Sequence, residues 1–337
     1  MTETPNGGDL IRVVSLTEAG VAQAVFGPLH RHLAHIQEAF RDPSAPRGAP
    51  AYRLTLDAQG DQLTLRATAG GAGELERAQR IIDALAELAR RKGRVREGEV
   101  LAAISFSEGP NTAPGPMALP QLGGLTLRTP RQVHYVEALR DEALDLIFGA
   151  GPAGTGKTFL AVAAAVEALK QERVDRIVVT RPAVEAGEKL GYLPGDLAEK
   201  VDPYLAPIWD AFRSQMNEND LKARRERRQI EVAPLAFMRG RTLSNAFVIV
   251  DEAQNATVLQ MKMVLTRLGE GSRMVVTGDP SQVDLVRVDQ SGLAHAISIL
   301  EGLEAVEVIR FATQDVVRHR LVAKIVEAYQ RDEDAHG

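Results

Sequence analysis

Residues 151–158 read Gly151-Pro152-Ala153-Gly154-Thr155-Gly156-Lys157-Thr158, which matches the pattern G-x-x-x-x-G-K-[ST]. Glycines at these positions let the backbone turn its N–H groups inward around a chain of phosphates, and a helix starting there adds its positive dipole end. Lys157 then reaches the outer phosphates, and the Thr158 hydroxyl is a ligand for Mg²⁺. Nearly a hundred residues later, the apolar run Phe247–Val250 ends in Asp251 and Glu252, the Walker B pattern. Asp251 is placed to hold the same metal through its water shell, and Glu252 to orient or deprotonate an attacking water. A third run, Arg273–Thr277, enters the turn Gly278-Asp279-Pro280-Ser281-Gln282. There Gln282 can hydrogen-bond both a water and a terminal phosphate.

Two further sites are weaker. Gln132 carries both a donor and an acceptor, as an adenine edge requires, and Tyr135 offers a ring for stacking. A surface helix start accounts for the same residues. Thr180, Arg181 and Lys189 follow an apolar run and read either as contacts to a nucleic-acid backbone or as a solvated loop. For the cation that must meet charge on a transferred phosphoryl group, Arg318 is the first candidate, with Arg239 and Arg241 behind it. Lys222–Arg228 packs five positive charges into seven residues, a solvated face or a partner surface.

The elements that must position these residues are legible as alternating strands and helices from Leu125 onward. Expected strands are Leu144–Phe148, Arg176–Thr180, Gln229–Ala233, Phe247–Val250, Arg273–Thr277 and Ala305–Arg310. Such alternation predicts a parallel sheet covered by helices on both faces, with ligands at the carboxyl ends of its strands. The motif residues fall at four of those ends.

Upstream, the order is strand, helix, helix, strand, strand, helix. Ile11–Val14 is the first strand; Leu16–Phe26 and Leu29–Phe40 are helices broken at Gly27-Pro28. Tyr52–Leu56 and Gln62–Arg66 alternate apolar and polar residues, and Glu74–Arg91 is amphipathic. That is the order of a KH-type module, which clamps nucleic-acid backbone with a G-x-x-G loop. Here the loop reads Gly27-Pro28-Leu29-His30, without the second glycine, so RNA binding and a packing or oligomerisation role both stay open. His32 and His35 share a helical face, which reads as a wet surface rather than a metal site. The expected organisation is a disordered tail over 1–9, a small α+β KH-like module over 10–93, a linker over 94–124, and an α/β domain over 125–333.

Composition bounds the rest. The chain has 337 residues, 45% hydrophobic and 25% charged, with a formal charge of −5. That balance argues against a uniformly basic nucleic-acid coat. The absence of cysteine excludes disulfides and thiolate metal sites. No run approaches a membrane span and no signal pattern opens the chain, so a cytoplasmic protein with no membrane partner is expected.

Taken together, G-P-A-G-T-G-K-T, V-T-R-P-A-V-E-A-G-E-K-L-G-Y-L-P-G-D, K-V-D-P-Y-L-A-P-I-W-D-A-F, F-V-I-V-D-E-A-Q-N, V-T-G-D-P-S-Q-V-D and D-V-V-R-H-R-L-V resemble the PhoH-like family of bacterial P-loop ATPases. The resemblance covers residues 125–330, and the N-terminal segment is similar to the KH-like module of shorter family members. It implies a RecA-like P-loop NTPase core, ATP and Mg²⁺ as cofactors, hydrolysis of ATP, and a role in RNA metabolism. It further implies RNA as a partner and a YbeY-type endoribonuclease of ribosomal RNA maturation as another. The 55 residues after Gln282 suffice to finish the sheet but not to build a second motor domain. A homo-oligomer that supplies an arginine in trans is therefore expected.

Overall fold

In a computed structural model, the chain is described at residues 9–42, 44, 51–108, 117–182, 197–283 and 291–317, without the side chains of 197–204. It divides into two compact units, Met1–Pro130 and Arg131–Gly337.

The first unit is built on a three-stranded antiparallel sheet of β1 (Leu10–Ser15), β2 (Leu54–Gln59) and β3 (Gln62–Ala67), in the order β1-β3-β2. Two-residue alternation sends Leu63, Leu65 and Ala67 of β3 into the core. Helices α1 (Val21–Phe26) and α2 (Arg31–Glu38) lie between β1 and β2, and α3 (Ala72–Lys92) follows the sheet. α3 buries Leu75, Ala78, Ile81, Ile82 and Leu85, a stripe at helical spacing. Glu74 in its first turn and Arg90, Arg91 and Lys92 in its last complement the helix dipole. Gly93 ends it in the left-handed region at φ 68°, returning its N–H to the Ala89 carbonyl. Within the segment expected as a linker, α4 (Glu97–Ser107) packs on α2 and α3 and adds Val100 and Ala103 to the same core. A small ribbon of β4 (Gln121–Leu122) and β5 (Leu125–Thr126) follows.

The helical histidines are not on a wet face. His32 and His35 are both buried. His32 Nδ1 donates to the Ala24 and Val25 carbonyls at 3.2 Å, satisfying the end of α1, and His35 Nε2 lies 3.0 Å from Glu97 Oε1. Sequence spacing located their shared face but not what covers it, because α4 comes from 60 residues downstream. The loop joining α1 to α2 holds Gly27, Leu29 and His30 at φ 71°, 50° and 57°, with Leu29 fully exposed.

The second unit carries the six-stranded parallel sheet. Its strands are β6 (Leu146–Ala150), β7 (Arg176–Arg181), β8 (Ile230–Pro234), β9 (Ala246–Val250), β10 (Arg273–Gly278) and β11 (Val306–Arg310). They lie in the order β11-β6-β10-β9-β7-β8. Each expected strand is present within two residues of its expected bounds. The largest shift is at β6, where the turn at Asp141 takes Leu144 instead, through Leu144 N–H to the Asp141 carbonyl. Every residue of β6 and β9 is buried, as a sheet covered on both faces requires.

The covering helices are α5 (Pro130–Arg140), α6 (Lys157–Lys170), α7 (Leu197–Gln215), α8 (Glu218–Glu226), α9 (Val258–Leu265) and α10 (Gly292–Leu300). α6 lies against β7, β9 and β10, and α7 packs on α6. Met261 and Val264 of α9 with Leu293 and Ala296 of α10 join Phe148, Val248, Val250 and Val276 in a second core. The basic run of α8 is partly accounted for: Arg224 pairs with Asp220, and Arg225 lies 4.3 Å above the Trp209 ring. Among the described residues no helix is long and apolar enough to cross a membrane.

The loop of the first unit gives a direct test of this packing. A Cβ on Gly27 would come within 2.5 Å of the His32 ring, at a φ that side chains rarely adopt. Gly27→Ala is expected to destabilise that unit by about 1–3 kcal/mol. Calorimetry would show this as a lowered melting transition, and an unchanged transition would refute it.

Candidate phosphate-binding and hydrolytic site

Parallel pairing brings four strand ends side by side. Ala150 of β6 pairs with Gly278 of β10, Val276 of β10 with Val250 of β9, and Val250 with Thr180 of β7. These strand ends therefore lie at one edge of the sheet, where residues following β6, β9 and β10 line a cavity of about 250 Å³ bounded by Gly154, Lys157, Thr158, Asp251, Glu252 and Gln282.

The glycine-rich loop leaves β6 through backbone that needs its glycines. Gly151, Gly154 and Gly156 have φ of 139°, 85° and 86°. At Gly151 a Cβ would fall 2.4 Å from the Phe311 carbonyl oxygen, so β11 closes against the loop only because that side chain is missing. The Gly151 N–H donates to the Gly278 carbonyl, and the Ala153 N–H to Asp279 Oδ2 at 3.2 Å. α6 starts at Lys157 directly after the left-handed Gly156. Lys157 Nζ donates to the carbonyls of Gly151 at 2.6 Å and Pro152 at 2.8 Å, inside the curve of the loop. Burial lowers its pKa below the ordinary lysine value, while Asp279, Glu252 and Asp251 pull the other way.

At the second residue of α6, the Thr158 hydroxyl donates to Asp251 Oδ1 at 2.6 Å, joining residues 93 apart in sequence. Thr277 of β10 donates to the same oxygen at 2.8 Å. Two hydroxyls thus hold a buried carboxylate at the end of β9, which keeps its second oxygen for another partner. One carboxylate and one hydroxyl beside a phosphate cradle is the donor set that suits Mg²⁺, which keeps several waters and takes phosphate oxygens. No group of three or more His, Asp or Glu side chains able to hold a metal occurs among the described residues.

Glu252 sits at φ 50°, a strained value for a residue with a side chain, and its carboxylate is gripped at both oxygens. Arg181 Nη2 lies 3.1 Å from Oε1, and Gln254 Nε2 donates to Oε2 at 2.6 Å. Gln282 lines the cavity, with its N–H on the Asp279 carbonyl at 3.0 Å.

The expected residues thus divide. Gly151 to Thr158, Asp251, Glu252 and Gln282 come together at one edge of the sheet. Arg181 joins them by pairing with Glu252. Gln132 is buried next to the loop, donating from Nε2 to the Thr155 carbonyl at 2.9 Å. Tyr135 corrects its expectation: it is 0% exposed, edge-on to Phe311 with ring centroids 5.4 Å apart, so its ring is core and stacks on no ligand. Burial, with the nearby Asp251 charge, pushes its phenol pKa up. Arg241 makes a bidentate pair with Glu231 at 2.6 and 2.8 Å and is committed there, and Arg239 is exposed. Arg318 and Lys189 lie outside the described residues; Val317, just before Arg318, donates its N–H to the Gly154 carbonyl. Sequence reasoning missed Thr277 and Gln254. Both stand inside quoted motifs without a role of their own there, and the signal for each was a polar side chain inside or just after an apolar strand.

A family model described as PhoH-like protein matches residues 124–330. The PhoH-like protein of Bacillus subtilis (strain 168) is 56% identical over 207 residues, 61% of this chain and 64% of that protein. The PhoH-like protein of Mycobacterium tuberculosis (strain H37Rv) is 54% identical over 213 residues, 63% and 60% of the two chains. Protein PhoH of Escherichia coli (strain K12) is 47% identical over 204 residues, 60% and 57%. The matched region thus spans less than two thirds of each of these relatives. Among solved structures, a Sulfolobus solfataricus SWI2/SNF2 ATPase core in complex with dsDNA aligns at a TM-score of 0.35 and 16% identity, over 59% of this chain and 48% of that one. With its glycine-rich loop, paired hydroxyl and carboxylate and matched region accounting for most of the second unit, the chain belongs to the PhoH-like protein family.

Proposed function

We propose that the chain hydrolyses ATP and that this turnover serves RNA metabolism. The observation that carries the hydrolytic part is the Thr158–Asp251 contact at 2.6 Å, in a cavity that Lys157 and Glu252 also line. In this reading Lys157 and the loop amides hold the phosphates, and Thr158 and Asp251 hold Mg²⁺. Glu252 orients and deprotonates the attacking water for in-line displacement at the γ-phosphate, and Gln282 reports whether that phosphate is intact. RNA enters through Arg181, at the same sheet edge as Glu252, and through the resemblance of the N-terminal unit to a KH module. The cation that completes the site is assigned to an arginine from a second copy of the chain in a homo-oligomer. A second reading keeps the nucleotide site and replaces the motor by a switched scaffold that recruits a YbeY-type endoribonuclease. The grip of Arg181 on Glu252 favours it too, since it ties the end of β7 to the hydrolytic carboxylate.

ATP turnover measured with and without RNA decides between them. Lys157→Ala should lose nucleotide binding and turnover together, while Glu252→Gln should bind ATP normally and lose roughly 10²–10⁴-fold in rate. RNA should stimulate the wild type and neither variant, and specific activity should fall on dilution as copies separate. Turnover that ignores RNA, with a nuclease partner bound only in the presence of ATP, would select the scaffold. Constant specific activity down to a dilution at which light scattering reports monomers would remove the oligomer.

Thr277→Val keeps the shape of the buried strand and deletes one of the two hydroxyls holding Asp251. The half-saturating Mg²⁺ concentration is expected to rise by roughly 10-fold or more, with nucleotide affinity in saturating Mg²⁺ unchanged. An unaltered Mg²⁺ titration would refute the assignment of Asp251.

The buried lysine sets a pH limit. Phosphates bind the protonated form, and burial lowers the Lys157 pKa from 10.5. The affinity for ATP should therefore begin to fall, as pH rises, below the pH at which an ordinary lysine loses its proton. Calorimetric titration across alkaline pH checks this, and affinity flat to pH 10.5 contradicts it.

A further inference from the structure

Gln254 belongs to neither the phosphate cradle nor the metal pair, yet it is 2% exposed and each end of its amide is used. Its Nε2 donates to Glu252 Oε2 at 2.6 Å, and its Oε1 accepts the Asp279 N–H at 3.0 Å. The backbone around it is pinned as well, with the Ser291 hydroxyl donating to the Gln254 carbonyl at 3.0 Å. Asp279 in turn accepts the Ala153 N–H of the phosphate loop, and its carbonyl takes the Gln282 N–H. The amide is therefore one covalent unit that joins the Glu252 carboxylate, after β9, to the turn after β10 that bears Gln282.

Gly278 shows how closely the strut is fitted. A Cβ there would stand 2.6 Å from Gln254 Oε1, so the β10 strand end is bare where the amide crosses it. The need for such a strut follows from Glu252 itself. Its backbone is at φ 50°, outside the regions that fix a side chain's direction cheaply, and Arg181 pulls its other oxygen from β7 at 3.1 Å. Without an opposing donor on Oε2, the carboxylate would swing toward the arginine.

We propose that Gln254 is a positioning residue for hydrolysis: it holds Glu252 in register with the Asp279–Gln282 turn, so that the base and the phosphate sensor act on one water. The proposal rests on the reading of Glu252 as the water-activating group. Gln254 touches no substrate in this scheme and acts only through Glu252 and Asp279.

The test is a double-mutant cycle read in kcat and in the affinity for a non-hydrolysable ATP analogue. Gln254→Ala is expected to lower kcat roughly 10- to 100-fold while the analogue binds within about twofold of wild type. In a Glu252→Gln background the same change should add less than about twofold, because the group it positions is already gone. Gln254→Glu is the second variant. It keeps the acceptor for the Asp279 N–H and the same volume, and replaces the donor to Glu252 by a carboxylate, so kcat should fall as far with the fold intact. Wild-type kcat in Gln254→Ala, an equal loss in both backgrounds, or a parallel loss of analogue affinity would each overturn the proposal. Full turnover by Glu252→Gln alone would overturn the hydrolytic reading and the proposal with it.

Discussion

The register between β6, β10, β9 and β7 is the constraint on which the rest of this protein depends. Parallel strands end at the same edge, and the pairings Ala150–Gly278, Val276–Val250 and Val250–Thr180 set four of those strand ends side by side. Slipping one strand by a residue would turn each of its side chains to the opposite face. Asp251 would then lose Thr158 and Thr277 together. The fully apolar β6 and β9 resist that slip, since each buried Val, Ile or Phe is worth about 1.5–3 kcal/mol.

On this frame the site concentrates buried polar groups that each need a partner. Asp251 is satisfied by two hydroxyls, Lys157 by two carbonyls of its own loop, and Glu252 by an arginine and an amide. Hydrogen bonds to charged groups are worth about 1.5–3 kcal/mol, and orphaning one side of such a bond costs at least as much. The network is thus held together by desolvation, which makes every partner in it necessary. Burial that lowers the Lys157 pKa also excludes the water that would otherwise screen its pull on phosphate. A phosphate chain entering the loop takes over Lys157 from carbonyl oxygens that are neutral, which makes the exchange favourable.

The N-terminal unit follows a different logic. Its core is closed by α4, which also brings Glu97 to His35, while His32 closes off the end of α1. Residues usually read as chemistry, the two histidines, are here structural. The exposed, backbone-strained Leu29 is what the loop presents outward.

Much of the site was legible in the sequence because its chemistry is local. Gly151 to Thr158 must be contiguous to curve around phosphates, and Asp251 and Glu252 must follow an apolar strand to reach the sheet edge. The inner strands of the second unit were legible for the same reason, since strands buried on both faces are short apolar runs. Tertiary structure decided what depends on neighbours distant in the chain. Strand order made Thr277 a partner of Asp251 and set Arg181 against Glu252; the bare Gly278 admitted Gln254 between two strand ends; and burial turned Tyr135 from a candidate stacking ring, and His32 and His35 from an expected wet face, into packing. The physical reason is that a motif states which groups a loop carries, whereas the partner of a buried group is fixed by which strand lies next to it, and that pairing is a long-range choice made by the whole core.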